Sequence, residues 1–139
     1  MAIFGVGAYY GGDTDVSPDF IASNLVGVGW DVTTAPELHR FMRSLKTGDI
    51  VYIKAYPPGA SDIYVKGIGL IRDDVLRTRA DTNDLVAIGR NVDWITTDEF
   101  RIPKPNEKNN VRANTMYEEH HPEVQRVIMQ RLVAGLSGR

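Results

Sequence analysis

Aromatic side chains at the ends of predicted strands are the residues of this sequence best suited to ligand chemistry. Tyr9 and Tyr10 end the first apolar run of the chain. Trp30 follows a second run, and Trp94 lies near the end of a later one. Such rings stack on flat bases and nucleotides, although each of them also fits a hydrophobic core. Several rings around one end of a sheet therefore predict an aromatic-lined pocket.

Polar side chains near these rings have the chemistry to recognise a base or a phosphate. Asp31 can accept a hydrogen bond from an amino group on a base edge. Lys54, Arg90 and Arg112 can contact phosphate, and Lys54 shares one face of its predicted strand with Tyr56. The predicted ligand-binding residues are Trp30, Asp31, Tyr9, Tyr10, Lys54, Tyr56, Trp94, Arg90 and Arg112.

Motifs typical of enzymes are absent from the sequence. The chain has no cysteine, which excludes disulfides, thiolate metal sites and thiol nucleophiles. Neither the nucleophile pattern GxSxG nor the phosphate loop GxxxxGK[ST] occurs. The run 118–121 (EEHH) combines acidic residues with histidines, but adjacent residues rarely converge on one metal ion, and His39 fits a surface or helix-packing role. We expect a binding protein that is not an enzyme and uses no metal or cofactor.

Composition and charge are those of an ordinary globular domain. The 139 residues are 42% hydrophobic and 24% charged, with a net charge of −2. Residues 1–34 contain four aspartates and no basic residue, whereas residues 40–112 contain thirteen basic and ten acidic residues. The middle of the chain could form a basic face, or its charges could be scattered over the surface. No apolar run reaches the roughly 20 residues of a membrane span, so we expect no membrane contact. The absence of cysteine fits a reducing compartment, and we expect a cytoplasmic location.

The strands that must position the aromatic residues follow from hydrophobic patterning. Strands are predicted at residues 2–10, 25–29, 49–56, 63–72 and 85–95. Two polar segments, 73–84 and 98–114, are predicted as connections, the first of them as a loop or a short helix.

Two amphipathic helices accompany these strands. The pattern TAPE at 34–37 is typical of a capping box, and the apolar spacing of residues 38–45 predicts a helix after it. Phe41 lies on its apolar stripe, where truncation to alanine at a fully buried position costs about 3–5 kcal/mol. A helical turn at 18–23 and a C-terminal helix at 122–136 are also predicted.

The order β, β, α, β, β, β, α predicts a single α+β domain over residues 1–139. Glycines inside apolar runs, such as Gly27 and Gly67, indicate short strands that bend. We therefore expect a strongly curved, mainly antiparallel or mixed sheet with both main helices packed against it.

Five short strings of this sequence share their order and spacing with a known superfamily. They are LVGVGWD at 25–31, MRSLKTGDIVYI at 42–53, VKGIGLI at 65–71, VDWI at 92–95 and NTMYE at 114–118. Together they resemble the PUA-like superfamily, and most of all the EVE-type domains attached to modification-dependent restriction systems. The resemblance covers about residues 3–134.

This resemblance implies a PUA/EVE-like curved sheet or pseudo-barrel of about five to six strands with two main packed helices. It also implies a pocket that receives a flipped or free modified base. By position, Trp30 and Asp31 match the pocket side of the family motif, Lys54 and Tyr56 lie on the neighbouring strand, and Trp94 matches a later tryptophan.

Three functions remain open at this point. The resemblance favours a domain that binds nucleic acid through a modified base. The nearly neutral charge favours a pocket for a free nucleotide, as in a phage or mobile-element protein that sequesters a defence messenger. A protein–protein adaptor on the same scaffold is the third, and a homodimer is compatible with all of them.

Overall fold

The computed structural model of the chain describes residues 1–55, 61–105 and 114–138. Nine strands and three helices occur in these ranges. In chain order they are β1 (Ile3–Gly7), β2 (Tyr9–Tyr10), β3 (Thr14–Asp15), α1 (Ser17–Ser23), β4 (Leu25–Val28), α2 (Pro36–Ser44), β5 (Ile50–Ala55), β6 (Asp62–Thr78), β7 (Ile88–Thr96), β8 (Phe100–Pro103), β9 (Met116–Glu118) and α3 (Pro122–Ser137).

A mixed seven-stranded sheet forms the centre of the fold. Its strand order is β4-β7-β6-β5-β1-β9, and β8 pairs with the beginning of β6. β1 and β5 run parallel, whereas the other pairs that the structure describes in this sheet are antiparallel. β2 and β3 form a separate two-stranded hairpin. The α+β class is confirmed, with more strands than predicted and with a third helix.

Alternating side chains divide the core into two layers, one on each face of the sheet. On β5, Val51 and Ile53 pack with residues of α1 and α2, whereas Ile50 and Tyr52 pack with residues of α3. Because helices cover both faces, every residue of β5 is buried. This explains why the strand reads as a continuous apolar run rather than as an alternating one.

Several predicted element boundaries were wrong. The first predicted strand divides at Ala8, whose carbonyl accepts the Val16 N–H at 2.7 Å, so that the chain leaves the sheet there. The predicted connection at 73–84 begins as strand, because β6 continues to Thr78 and pairs with β7. β8 lies within the predicted connection at 98–114, of which residues 106–113 are outside the described ranges.

Helix α2 begins differently from the prediction. Within the described residues no side chain caps this helix, and the amides of Thr34 and Ala35 donate to the Asp31 carbonyl at 3.0 and 2.9 Å. Met42 is fully buried, whereas Phe41 is only half-buried. Truncation of Phe41 to alanine should therefore lower the free energy of unfolding by less than the loss of about 3–5 kcal/mol that is expected at a fully buried position.

Arg90 on β7, one of the predicted phosphate contacts, lies in the core. Arg90 is only 2% exposed, and its Nη1 donates to the carbonyls of Met42 and Leu45 at 3.0 and 2.6 Å. Nη2 donates to the carbonyl of Asp73 at 2.7 Å. The end of a helix leaves carbonyls without intrahelical partners, and Arg90 satisfies those of α2 while joining it to β6. Arg90 is therefore a structural residue rather than a phosphate contact.

Replacement of Arg90 by methionine is expected to lower the free energy of unfolding by at least about 3 kcal/mol. Three carbonyls would lose their donor, and each buried unsatisfied group costs about 1–3 kcal/mol. Urea denaturation measures the loss. In the matched control Arg72→Met, the exposed ion pair with Asp93 at 2.8 Å is lost, and the expected change is below about 1 kcal/mol. Equal losses in the two variants would contradict the structural role of Arg90.

Candidate ligand-binding site

A cavity of about 360 Å³ opens beside the end of β4. Among the described residues, three chain segments supply most of its wall: the hairpin that begins at Tyr9, the stretch Gly27–Trp30, and the turn between Arg79 and Asp84. Its volume lies at the lower end of the range of about 300–1,000 Å³ that is typical of small-molecule sites. The cavity is therefore large enough for one base or nucleotide.

Three of the predicted aromatic residues line this cavity. Trp30 and Tyr9 stand 53% and 50% exposed, respectively, which is unusual for such large rings. Tyr10 is half-buried, and its hydroxyl donates to the Leu85 carbonyl at 2.7 Å. Burial raises the pKa of Tyr10 to about 12, so its hydroxyl stays protonated at neutral pH. The structure thus brings one fixed ring and two accessible rings together.

Two glycines of the GVG string allow the cavity to form. A Cβ on Gly29 would lie 3.1 Å from Cζ of Tyr10, and one on Gly27 would lie 2.6 Å from the Ile88 carbonyl oxygen. The ring of Tyr10 therefore packs directly on backbone. The carbonyl of Trp30 is held in turn by Nε2 of His39 at 2.6 Å. His39 thus has the helix-packing role that was one of its predicted alternatives.

Arg79 is a cavity residue that the sequence did not reveal. Its Nη2 donates to the Gly29 carbonyl at 2.7 Å and to Oδ1 of Asp31 at 2.8 Å, and its Nε donates to the same oxygen at 3.2 Å. Asp31, predicted to read a base edge, thus holds this guanidinium in place. No sequence signal marked Arg79, because it lies just beyond β6 in a segment predicted as a polar connection.

Asp84 also lines the cavity and was not predicted. Asn83 and Asp84 both have left-handed backbone conformations, with φ of 53° and 67°. The Asp84 amide donates to the Arg79 carbonyl at 2.9 Å, which closes the turn. Asparagine and aspartate are the residues other than glycine that adopt this conformation most readily, so the sequence suits this turn.

The Tyr9 hairpin is joined to β6 by an ion pair. Nζ of Lys66 lies 2.8 Å from Oδ2 of Asp15 and 5.2 Å from the centre of the Tyr9 ring. The hairpin turn contains Gly11 and Gly12, both with positive φ. The Lys66 contact therefore positions one wall of the cavity.

Lys54, Trp94 and Arg90, three further predicted ligand-binding residues, are not among the described residues that line the cavity. Lys54 belongs to the face of β5 that Tyr52 shares, and its Nζ lies 5.8 Å from the centre of the Tyr117 ring. Trp94 packs on Gly67 and donates its indole N–H to the Phe20 carbonyl at 3.2 Å. Arg90 is committed to the backbone carbonyls described above. The two remaining predicted residues, Tyr56 and Arg112, lie outside the described residues.

The run 118–121 has structural roles. The buried Glu119 carboxylate accepts the Tyr52 hydroxyl at 2.7 Å, and Nδ1 of His121 accepts the Glu123 amide at 3.2 Å, which caps α3. Within residues 1–55, 61–105 and 114–138, no group of three or more histidine, aspartate or glutamate side chains is placed to hold a metal ion. In the same part of the chain, no helix is both long and apolar enough to cross a membrane.

Comparison with known proteins adds no assignment: no protein-family model and no curated protein matches this chain.

Lys54 should give the protein a measurable pH dependence of stability. Burial lowers the pKa of Lys54 from 10.5 to about 8. The unfolded chain therefore binds more protons than the folded chain between these pH values, so the free energy of unfolding rises as pH increases from 8 towards 10.5. The slope from this group is at most about 1.4 kcal/mol per pH unit. Urea denaturation across this window should show the slope in the wild type and a smaller one in Lys54→Met. Equal slopes would contradict a lowered pKa.

Proposed function

We propose that this chain binds a flat base, presented by nucleic acid that carries a modified base, in the cavity walled by Tyr9, Tyr10 and Trp30. The observation that carries the proposal is the 53% exposed indole of Trp30 at a cavity of about 360 Å³. Aromatic rings that remain accessible at a concave surface suit stacking on a base. The resemblance to EVE-type domains supports the same ligand class.

The fixed polar groups of the cavity also support a binding role. Arg79 is held by the Gly29 carbonyl and the Asp31 carboxylate, so its orientation is set before a ligand arrives. Preorganised groups lose little entropy when they bind. The proposed action is therefore recognition of a base without chemical change.

Trp30→Ala should weaken base binding and leave the fold nearly intact. Loss of the indole removes stacking of about 1–3 kcal/mol, a five- to 150-fold loss of affinity. Because the side chain is half exposed, the free energy of unfolding should change by less than about 1 kcal/mol. Fluorescence anisotropy with short oligonucleotides, with and without methylated bases, measures the first effect, and urea denaturation measures the second.

Trp94→Phe is the matched control for the indole. Trp94 packs inside the fold and donates to the Phe20 carbonyl, so its replacement should lower stability while affinity stays near that of the wild type. Unchanged affinity in Trp30→Ala would contradict the pocket assignment. A large stability loss in Trp30→Ala would show that its ring supports the core instead.

A free nucleotide is the second candidate ligand, and a specific observation favours it. Two cations beside the cavity, among the residues that the structure describes, are already paired with carboxylates: Arg79 with Asp31 and Lys66 with Asp15, each at 2.8 Å. Paired cations attract a long polyanion weakly. One observation favours the nucleic-acid ligand over the free nucleotide: Arg40 on α2, the helix that follows the Trp30 segment, is exposed and could contact the phosphates of a nucleic-acid strand.

The salt dependence of binding separates these two ligands. Each phosphate contact on a single strand contributes a slope of about −0.7 to log affinity against log salt. For a strand bound through its base and through one phosphate contact from each of Arg40 and Arg43 on α2, we expect a slope of about −1.4, which Arg40→Gln combined with Arg43→Gln makes shallower. If the slope of log affinity against log salt is equally shallow for an oligonucleotide and for a mononucleotide, the free nucleotide is favoured. If neither ligand raised the melting temperature, the adaptor function would replace both.

A further inference from the structure

Within the part of the chain that the structure describes, the Asp84 carboxylate has no partner, whereas the other aspartates around the cavity are paired. Asp31 binds Arg79, and Asp15 binds Lys66 and Ser17. Among the hydrogen bonds and ion pairs of the described residues, none involves the Asp84 carboxylate, although this residue lines the cavity. Its backbone conformation, with φ of 67°, is fixed by the turn to Arg79.

Resting on the base-binding function proposed above, we propose that Asp84 reads the edge of the bound base and selects a guanine-type purine. An ionised carboxylate only accepts hydrogen bonds, and its two oxygens suit two parallel donors. Guanine presents two adjacent donors on one edge, N1–H and the N2 amino group. Adenine and cytosine place a ring-nitrogen acceptor beside their amino group, and uracil flanks its single N–H with carbonyl oxygens.

Arg79 supplies the complementary donor. Two of its nitrogens are engaged with Gly29 and Asp31, and within the described residues its Nη1 has no hydrogen-bond partner. The guanine O6 acceptor lies next to N1–H on the same edge. Asp84 and Arg79, joined by a backbone hydrogen bond of 2.9 Å, thus offer acceptor and donor groups in the combination that guanine requires.

The decisive experiment is calorimetric titration of the full chain with GMP, IMP, AMP, CMP and UMP. We expect GMP to bind roughly tenfold or more tightly than AMP, CMP and UMP, and IMP, which lacks the N2 amino group, to fall between. Asp84→Asn should abolish the preference for GMP over IMP. Asparagine tolerates left-handed backbone, as neighbouring Asn83 shows, so this variant should fold normally. Asp98→Asn, an exposed carboxylate outside the cavity wall, is the matched control and should keep the preference.

The outcomes separate this inference from the function on which it rests. If AMP or CMP binds as tightly as GMP and Trp30→Ala still weakens binding, guanine selection is overturned and base binding stands. If Asp84→Asn keeps the preference for GMP over IMP, the role of Asp84 is overturned, whereas base binding again stands. If none of the five nucleotides binds and the oligonucleotide titrations also fail, both proposals are overturned.

Discussion

Close backbone approach at the end of β4 is the constraint on which the cavity depends. Gly27 lies against the Ile88 carbonyl of β7, and Gly29 lies against the ring of Tyr10. A side chain at either position would push β4 from its partner or displace the ring, because packed interiors leave little room for added atoms. The chain therefore leaves the sheet directly after these contacts, which places Trp30 at the rim rather than in the core.

Arg79 and Arg90 show how burial decides what the same side chain does. Both donate to backbone carbonyls. Arg90 lies between α2 and the sheet, where its donors meet helix-end carbonyls and no ligand can reach them. Arg79 has a 40% exposed side chain, and an exposed carboxylate completes its contacts. The first arginine thus stabilises the fold, whereas the second remains accessible at the cavity.

The sequence predicted elements better than it predicted the site. The helix at 18–23 and the C-terminal helix at 122–136 agree with the structure to within one residue because their apolar patterns are local. The strand predicted at 49–56 begins one residue later, and its predicted last residue lies outside the described residues. The extension of β6 beyond residue 72 was missed because its side chains there are largely exposed and polar, and only pairing with β7 makes it a strand. Tyr9, Tyr10 and Trp30, which the sequence singled out as rings at strand ends, line one cavity. Arg79 reaches the same cavity because β6 pairs with β7 over a long range, which no local pattern records.

Paired charges around the cavity bear on how a ligand could be recognised. Lys66 and Arg79 each have a carboxylate at 2.8 Å, so these two cations add little net positive charge that could attract a ligand from a distance. What remains is directional: ring faces, the donors of Arg79 and the acceptors of Asp84. Directional groups discriminate through the hydrogen bonds that a wrong ligand would leave unmade. A cavity of this kind would gain specificity mainly from the edge of its ligand and affinity mainly from the ligand's flat face.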